Sequence, residues 1–214
     1  MAATTSKPGL ITQTAIAGEY SALMGAGHCP IGMYTMPSTE SLLIWDAVLF
    51  VHQGLYANAV LKFRITFPDN FPDRAPTVQF ITDVFHPLIS QEGAYNLGHR
   101  FRPWRPKEHH IVDVLHCVKT SFKKDVLDKL QLDDCVNKDA YRYHKSPQSF
   151  ASLATQSVQL SQTETSLFVR DHPSRIGGVP HAMRFSKLNP DQTNQTKEKI
   201  EMRSGINQEA EATS

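Results

Sequence analysis

The sequence predicts an α+β chain: a four-stranded antiparallel meander with helices on its flanks, then a polar C-terminal extension. Three observations predict it. Apolar runs rich in β-branched and aromatic residues recur at 41–51, 59–67 and 77–81, and a short extended piece at 32–36 precedes them. The segments between the three runs, His52–Asn58 and Pro68–Asp73, have turn composition. Helical spacing is clearest outside this block, at 11–24 before it and 111–122 after it.

Residues 1–10 read as a disordered lead. From there Ile11, Ala15, Ile16, Tyr20, Leu23 and Met24 recur at helical spacing, and Gly25 and Gly27 stop the helix. The extended piece at 32–36 ends at Pro37. Ser41–Val51 is nearly continuous in apolar residues, as expected of a central strand buried on both faces. In Ala59–Phe67, Leu61, Phe63, Ile65 and Phe67 alternate with Lys62, Arg64 and Thr66. That pattern predicts one packed face and one that is wet or meets a helix edge. Pro and Asn break the ladder across Pro68–Asp73, and Pro76 leads into a short strand, Thr77–Ile81. Ile111, Val114, Leu115, Val118 and Phe122 form the apolar stripe of a helix docked on the sheet. A weaker helical pattern fills 137–167, with a break expected near Ser146-Pro147. Beyond Arg170 the chain turns polar, and Asn189-Pro190-Asp191 is a helix start with Asn as cap. The stretch Gln192–Met202 is too polar to bury itself, so a helix there needs a partner. The expected division is a lead at 1–10, a main domain at 11–168, and a tail at 169–214 that is partly helical when bound.

A chain of 214 residues allows one domain of common size plus extensions. With 40% hydrophobic and 20% charged residues, it suits a soluble globular core. A net charge of +1 gives no case for nucleic acid or an acidic membrane surface. No apolar run approaches the ~20 residues that span a bilayer. The first ten residues lack the apolar core of a secretory signal, and Ala2 stands where myristoylation needs Gly. Cys29, Cys117 and Cys135 are few and widely spaced, which argues against a disulfide scaffold and fits the reducing cytoplasm.

The most informative stretch is Phe85–Phe122. It holds His86-Pro87, a loop with Gly93, a corner at Trp104-x-Pro106, and then the amphipathic pattern. Upstream lie Tyr56-x-x-Ala59-Val60 and Phe67-Pro68-x-x-Phe71-Pro72-x-x-x-Pro76-x-Val78-x-Phe80. This layout resembles the ubiquitin-conjugating enzymes and implies their UBC-like fold. In that family His-Pro is followed by Asn, and the reactive Cys lies eight positions further on. Here Leu88 takes the Asn position and Asn96 the Cys position. The resemblance implies that His86, Pro87, Trp104 and Pro106 are kept as a structural motif while the catalytic positions are degenerate. Ubiquitin transfer needs a nucleophile that attacks a thioester and holds the acyl group, which a thiol does and a carboxamide does not. Leu88 likewise offers no donor to an oxyanion.

Within the family the chain looks most like the inactive variants of the fused-toes group, which includes the AKT-interacting proteins and crossbronx. Glu19-Tyr20-Ser21, His52-x-Gly54-Leu55-Tyr56, Pro68-Asp69-Asn70-x-Pro72-Asp73, Val84–Leu88, Trp104-Arg105 with His109-x-Ile111, and Phe185-Ser186-x-x-Asn189-Pro190 carry that likeness. The segment between Lys123 and Arg170 matches poorly. The likeness implies an adaptor for Hook-like coiled-coil proteins in a complex that links vesicles to microtubule motors. It makes Phe185, Leu188, Asn189 and Pro190 candidate partner-binding residues. The alternative is a non-catalytic cofactor of an active conjugating enzyme that steers ubiquitin chain formation.

Other signals have plainer readings. Cys117 falls about 120° from the centre of the apolar stripe, a flank position that suits a structural cysteine better than a nucleophile. Ten histidines show no ligand spacing for zinc, so no metal and no cofactor is expected. His99 with Glu108 or Asp113 would make an acid–base pair without a nucleophile. Arg100, Arg102, Arg105 and Lys107 read as a solvated rim, with an acidic partner surface as their functional use.

Overall fold

In the computed structural model, which describes residues 9–25, 28–39, 41–168 and 181–200, one antiparallel sheet runs in the order β1-β2-β3-β4-β5. Its strands are β1 (Met33–Pro37), β2 (Ile44–Phe50), β3 (Val60–Thr66), β4 (Thr77–Phe80) and β5 (Ala94–Tyr95). The fifth strand extends the four expected. It pairs Val78 with Tyr95 and Gln79 with Ala94, so the active-site-like loop is tied into the sheet. Gly93 makes this return possible: its φ is +89°, and an added Cβ would collide with the Phe80 carbonyl oxygen.

Trp45, Ala47 and Leu49 of β2 and Leu61, Phe63 and Ile65 of β3 are almost wholly buried. They belong to one core with Ile111, Val114, Leu115 and Val118 of α2 (Ile111–Thr120) and with Phe122. The five α2 and post-α2 residues are the stripe read from the sequence. Helix α1 (Leu10–Met24) buries Thr12, Ile16 and Leu23. Ile11 and Met24, expected on the buried stripe, are instead 80% and 57% exposed. The helix is rotated so that Thr12 faces inward and donates its hydroxyl to Asp69 O at 2.8 Å.

The polar face of β3 is not wet. Lys62 and Arg64 are 6% and 2% exposed. Lys62 Nζ donates to Ser166 O and Leu167 O, carbonyls at the end of α6 (Glu164–Phe168), where the helix dipole favours a cation. Arg64 Nε donates to Asp46 Oδ1 at 2.7 Å. The expected break in the later helices falls at Pro147, the first residue of α5 (Pro147–Ser161), after α4 (Lys138–His144). A short α3 (Lys124–Leu127) precedes them.

The chain divides into two units, Met1–Arg184 and Phe185–Ser214. The second unit is helical over 190–200. Asn189 caps that helix: its Oδ1 accepts from Gln192 N at 2.8 Å, and Gln192 Oε1 accepts from Asn189 N at 3.1 Å. Most of the expected lead, Gly27, and the tail segments at 169–180 and 201–214 lie outside the described residues. Among the described residues no helix is long and apolar enough to cross a membrane.

Candidate functional site

The His-Pro loop is anchored from below. His86 is fully buried and its ring Nε2 donates to Ser121 O at 3.0 Å, just past the end of α2. Its Nδ1 accepts from Leu88 N at 3.0 Å. Carbonyl and amide partners fix the tautomer, because one can only accept and the other can only donate. Burial pushes the imidazole pKa down to about 4, against the smaller opposing pull of the Ser121 carbonyl. Tyr56 buttresses the same loop, donating its hydroxyl to Phe85 O at 2.6 Å and packing edge-on to Phe122. Pro87 is buried, and its carbonyl accepts from Asn137 N.

Leu88 and Asn96 lie side by side, since Asn96 N donates to Leu88 O at 2.9 Å. Leu88 is wholly buried in the core, so its side chain is packing. Asn96 caps the short turn Leu97–His99 with its Oδ1, which accepts from Gly98 N at 2.9 Å. Its Nδ2 donates to Asp134 O at 2.7 Å, which fastens the loop to the segment after α3. The Asp134 contact was invisible in the sequence, because a main-chain acceptor leaves no residue-type signal.

Two thiols come near this loop. Cys117, expected at a flank of α2, is 3% exposed. The Tyr95–His99 segment covers that side of the helix: Tyr95 Oη and His99 Nε2 each lie 3.6 Å from Cys117 Sγ. His99 Nδ1 lies 2.6 Å from Asn96 O and donates there, which leaves Nε2 to accept. Burial raises the Cys117 thiol pKa, with Tyr95 and Arg100 opposing. Cys135, next to Asp134, donates to Gln131 O, and burial with the Asp134 carboxylate pushes its pKa up to about 11. Cys29 is free as well.

The acid–base pairings considered for His99 do not form. Glu108 pairs with Arg105 at 2.8 Å on the surface, and Asp113 accepts from His110 N. Trp104 donates to Pro72 O at 2.7 Å and clusters with Phe101 and His109, whereas Pro106 is exposed. Arg100, Arg102, Arg105 and Lys107 are exposed. In the second unit, Leu188 is 52% exposed and Asn189 and Pro190 start the helix, with Phe185 upstream.

The family model described as ubiquitin-conjugating enzyme matches residues 18–158, a span that holds the whole sheet, α2 and the His86–Asn96 loop. The chain belongs to the ubiquitin-conjugating enzyme family. Within that family it is similar to proteins named AKT-interacting protein. It is 37% identical to the one from Danio rerio over 172 residues, which are 79% of this chain and 55% of that protein. The Pongo abelii protein is 35% identical over the same shares of each chain. The Protein AKTIP homolog of Nematostella vectensis is 30% identical, over 79% of this chain and 54% of its own. This ubiquitin-conjugating enzyme variant thus spans about half the length of these relatives.

Proposed function

We propose that this chain is a non-catalytic ubiquitin-conjugating enzyme variant that serves as an adaptor subunit, binding Hook-like coiled-coil proteins in a cytoplasmic complex that links vesicles to microtubule motors. The observation that carries the reading is Asn96. Its carboxamide nitrogen is a poor nucleophile because its lone pair is delocalised into the carbonyl, and both ends are engaged in holding the loop, one on Gly98 N and one on Asp134 O. Beside it, the buried Leu88 side chain has no donor for a developing oxyanion. Cys117 and Cys135 are poorly placed to supply the missing nucleophile, because they are 3% and 5% exposed, and Tyr95 and His99 cover the Cys117 sulfur. What persists is the packing that keeps the fold, which suits a binding role. The relatives' name, AKT-interacting protein, supports protein partners.

Three measurements test the reading. Incubated with activating enzyme, ATP and ubiquitin, the protein is expected to give no thiol-sensitive band on a non-reducing gel. Such a band, lost in Cys117→Ser or Cys135→Ser, would overturn the non-catalytic part. Affinity purification of the full chain from cells is expected to recover Hook-like proteins. A change in chain linkage when the protein is added to a charged conjugating enzyme, with no Hook-like protein recovered, would favour the cofactor role instead.

A further inference from the structure

The turn before β1 carries an aliphatic side chain at its corner. Met33 N donates to Pro30 O at 2.9 Å and Gly32 has a φ of +80°, the pattern of a type II turn with Ile31 at its second position. Ile31 is 84% exposed. One exposed isoleucine is ordinary on a protein surface, but the neighbours of this one are not. Lys119 of α2 donates from Nζ to Ile31 O at 2.7 Å. Lys123 and Lys124 follow α2, and His52, from the loop between β2 and β3, lies against Gly32. Ile31, His52 and the three lysines border one hollow at this end of the sheet.

The charge here is one-sided. Three lysines stand against one acid, Asp125, in a chain whose net charge is only +1. Lys123 and Lys124 are exposed, and neither ammonium meets a carboxylate among the described residues. Asp128, the next acid along the chain, lies 3.4 Å from His144 Nε2 instead. The open apolar group, for its part, projects outward. Leu49, Val51 and Phe122, which back the hollow, are 8% exposed or less, and the Phe50 ring packs edge-on to Tyr34. A partner segment that leads with an apolar side chain needs an open apolar cavity, and the described residues at this end offer none. A lipid surface needs the reverse: an aliphatic side chain that protrudes, with cations beside it to meet anionic headgroups.

We propose that this end of the domain contacts an anionic lipid surface, with Ile31 entering the boundary between headgroups and acyl chains and Lys119, Lys123 and Lys124 set against the headgroups. The turn is held beforehand by the Lys119 and Pro30 bonds and by Phe50 N on Gly32 O, and a turn ordered in advance lowers the entropy cost of docking. Each lysine near such a surface is worth about fivefold in partition, so three lysines and one aliphatic side chain make a weak contact. It counts where another attachment already holds the chain at a membrane. None of these residues belongs to the Leu88–Asn96 loop and the test needs no protein partner, so its failure would leave the adaptor reading intact.

The test floats the full chain with vesicles of phosphatidylcholine to which phosphatidylserine is added in steps. Binding is expected to be absent on phosphatidylcholine alone, to rise with phosphatidylserine, and to weaken as salt is raised. Lys123→Glu/Lys124→Glu should lower the partition about tenfold or more. Ile31→Ser leaves the charge unchanged and should lower it severalfold. All three side chains are exposed, so both variants keep their fold, which circular dichroism checks. With a spin-labelled lipid in nanodiscs, the amide signals that broaden should be those near 31, 52–54 and 119–125. Partition that ignores phosphatidylserine or survives either substitution would overturn the proposal, as would broadening centred elsewhere. Absence of flotation would overturn it too, and capture of a poly-glutamate peptide in its place would assign the lysines to an acidic protein.

Discussion

His86 is buried completely, and with Ser121 O on one nitrogen and Leu88 N on the other its ring has one proton and no place for a second. Its folded pKa is about 4 against 6.5 for the free side chain. Between those values the unfolded chain binds a proton that the folded chain refuses. Stability from this group is therefore complete above about pH 6.5 and falls as the pH drops toward 4. The loss is about 3 kcal/mol over that window. Urea midpoints measured from pH 7 down to 4.5 should show the fall, and His86→Gln should flatten it relative to the parent chain. Parallel curves would mean that His86 does not report the titration. At Asn96 the expectation is structural. Asn96→Ala removes two half-buried hydrogen bonds and should cost about 1–3 kcal/mol by urea denaturation. A neutral substitution would show that the loop holds its shape without the carboxamide.

Helix α2 begins at a cap supplied from another element. Glu19 on α1 accepts from Ile111 N at 2.8 Å through Oε2 and meets His110 Nδ1 at 2.9 Å through Oε1. A carboxylate at a helix N-terminus satisfies an orphan amide and complements the dipole. Glu19→Ala should therefore destabilise the chain by about 1–2 kcal/mol, read as a lowered urea midpoint. Glu19→Gln keeps an acceptor for Ile111 N and should lose less; equal losses would place the effect in the charge alone. Glu19 also shows what the sequence could and could not disclose. It stood out in a matched tripeptide, but its reason lies 92 residues away at Ile111. The strands were legible because apolar runs and alternation are local signals, and so was the break at Ser146-Pro147. The phase of α1 was not, since Ile11 and Thr12 compete for one buried position and the Asp69 carbonyl decides it. Strand β5 has two residues and no pattern to read. At the site, the resemblance to the family's His-Pro layout singled out Leu88 and Asn96, whereas the burial of Cys117 depended on how the Tyr95–His99 segment folds over α2.

Across the first unit, the polar face of β3 gathers chain from far away. Val60 N donates to Ser161 Oγ, Lys62 reaches the end of α6, and Ala182 N donates to Asp46 Oδ2 at 2.7 Å across 136 positions. His181 Nε2 lies 3.8 Å from Asp46 Oδ1 and 3.4 Å from Phe63 O. Asp46 is thus the point where two strands and a distant segment meet, and its charge is tolerated there because Arg64 lies beside it, both almost wholly buried. Removing one partner leaves the other charged in a dry site. Arg64→Met alone should cost about 3–5 kcal/mol, because among the described residues the Asp46 carboxylate then keeps the Ala182 amide and the more distant His181 ring. Asp46→Leu alone should also destabilise the chain, because it takes the carboxylate away from the buried Arg64 Nε. The double variant removes both charges and should cost well below the sum of the two, since two buried desolvation penalties vanish together. A double-mutant cycle on urea midpoints reads the difference directly. Additive losses would mean that the two groups are solvated independently, and that the 181–182 segment does not seal this face of the sheet.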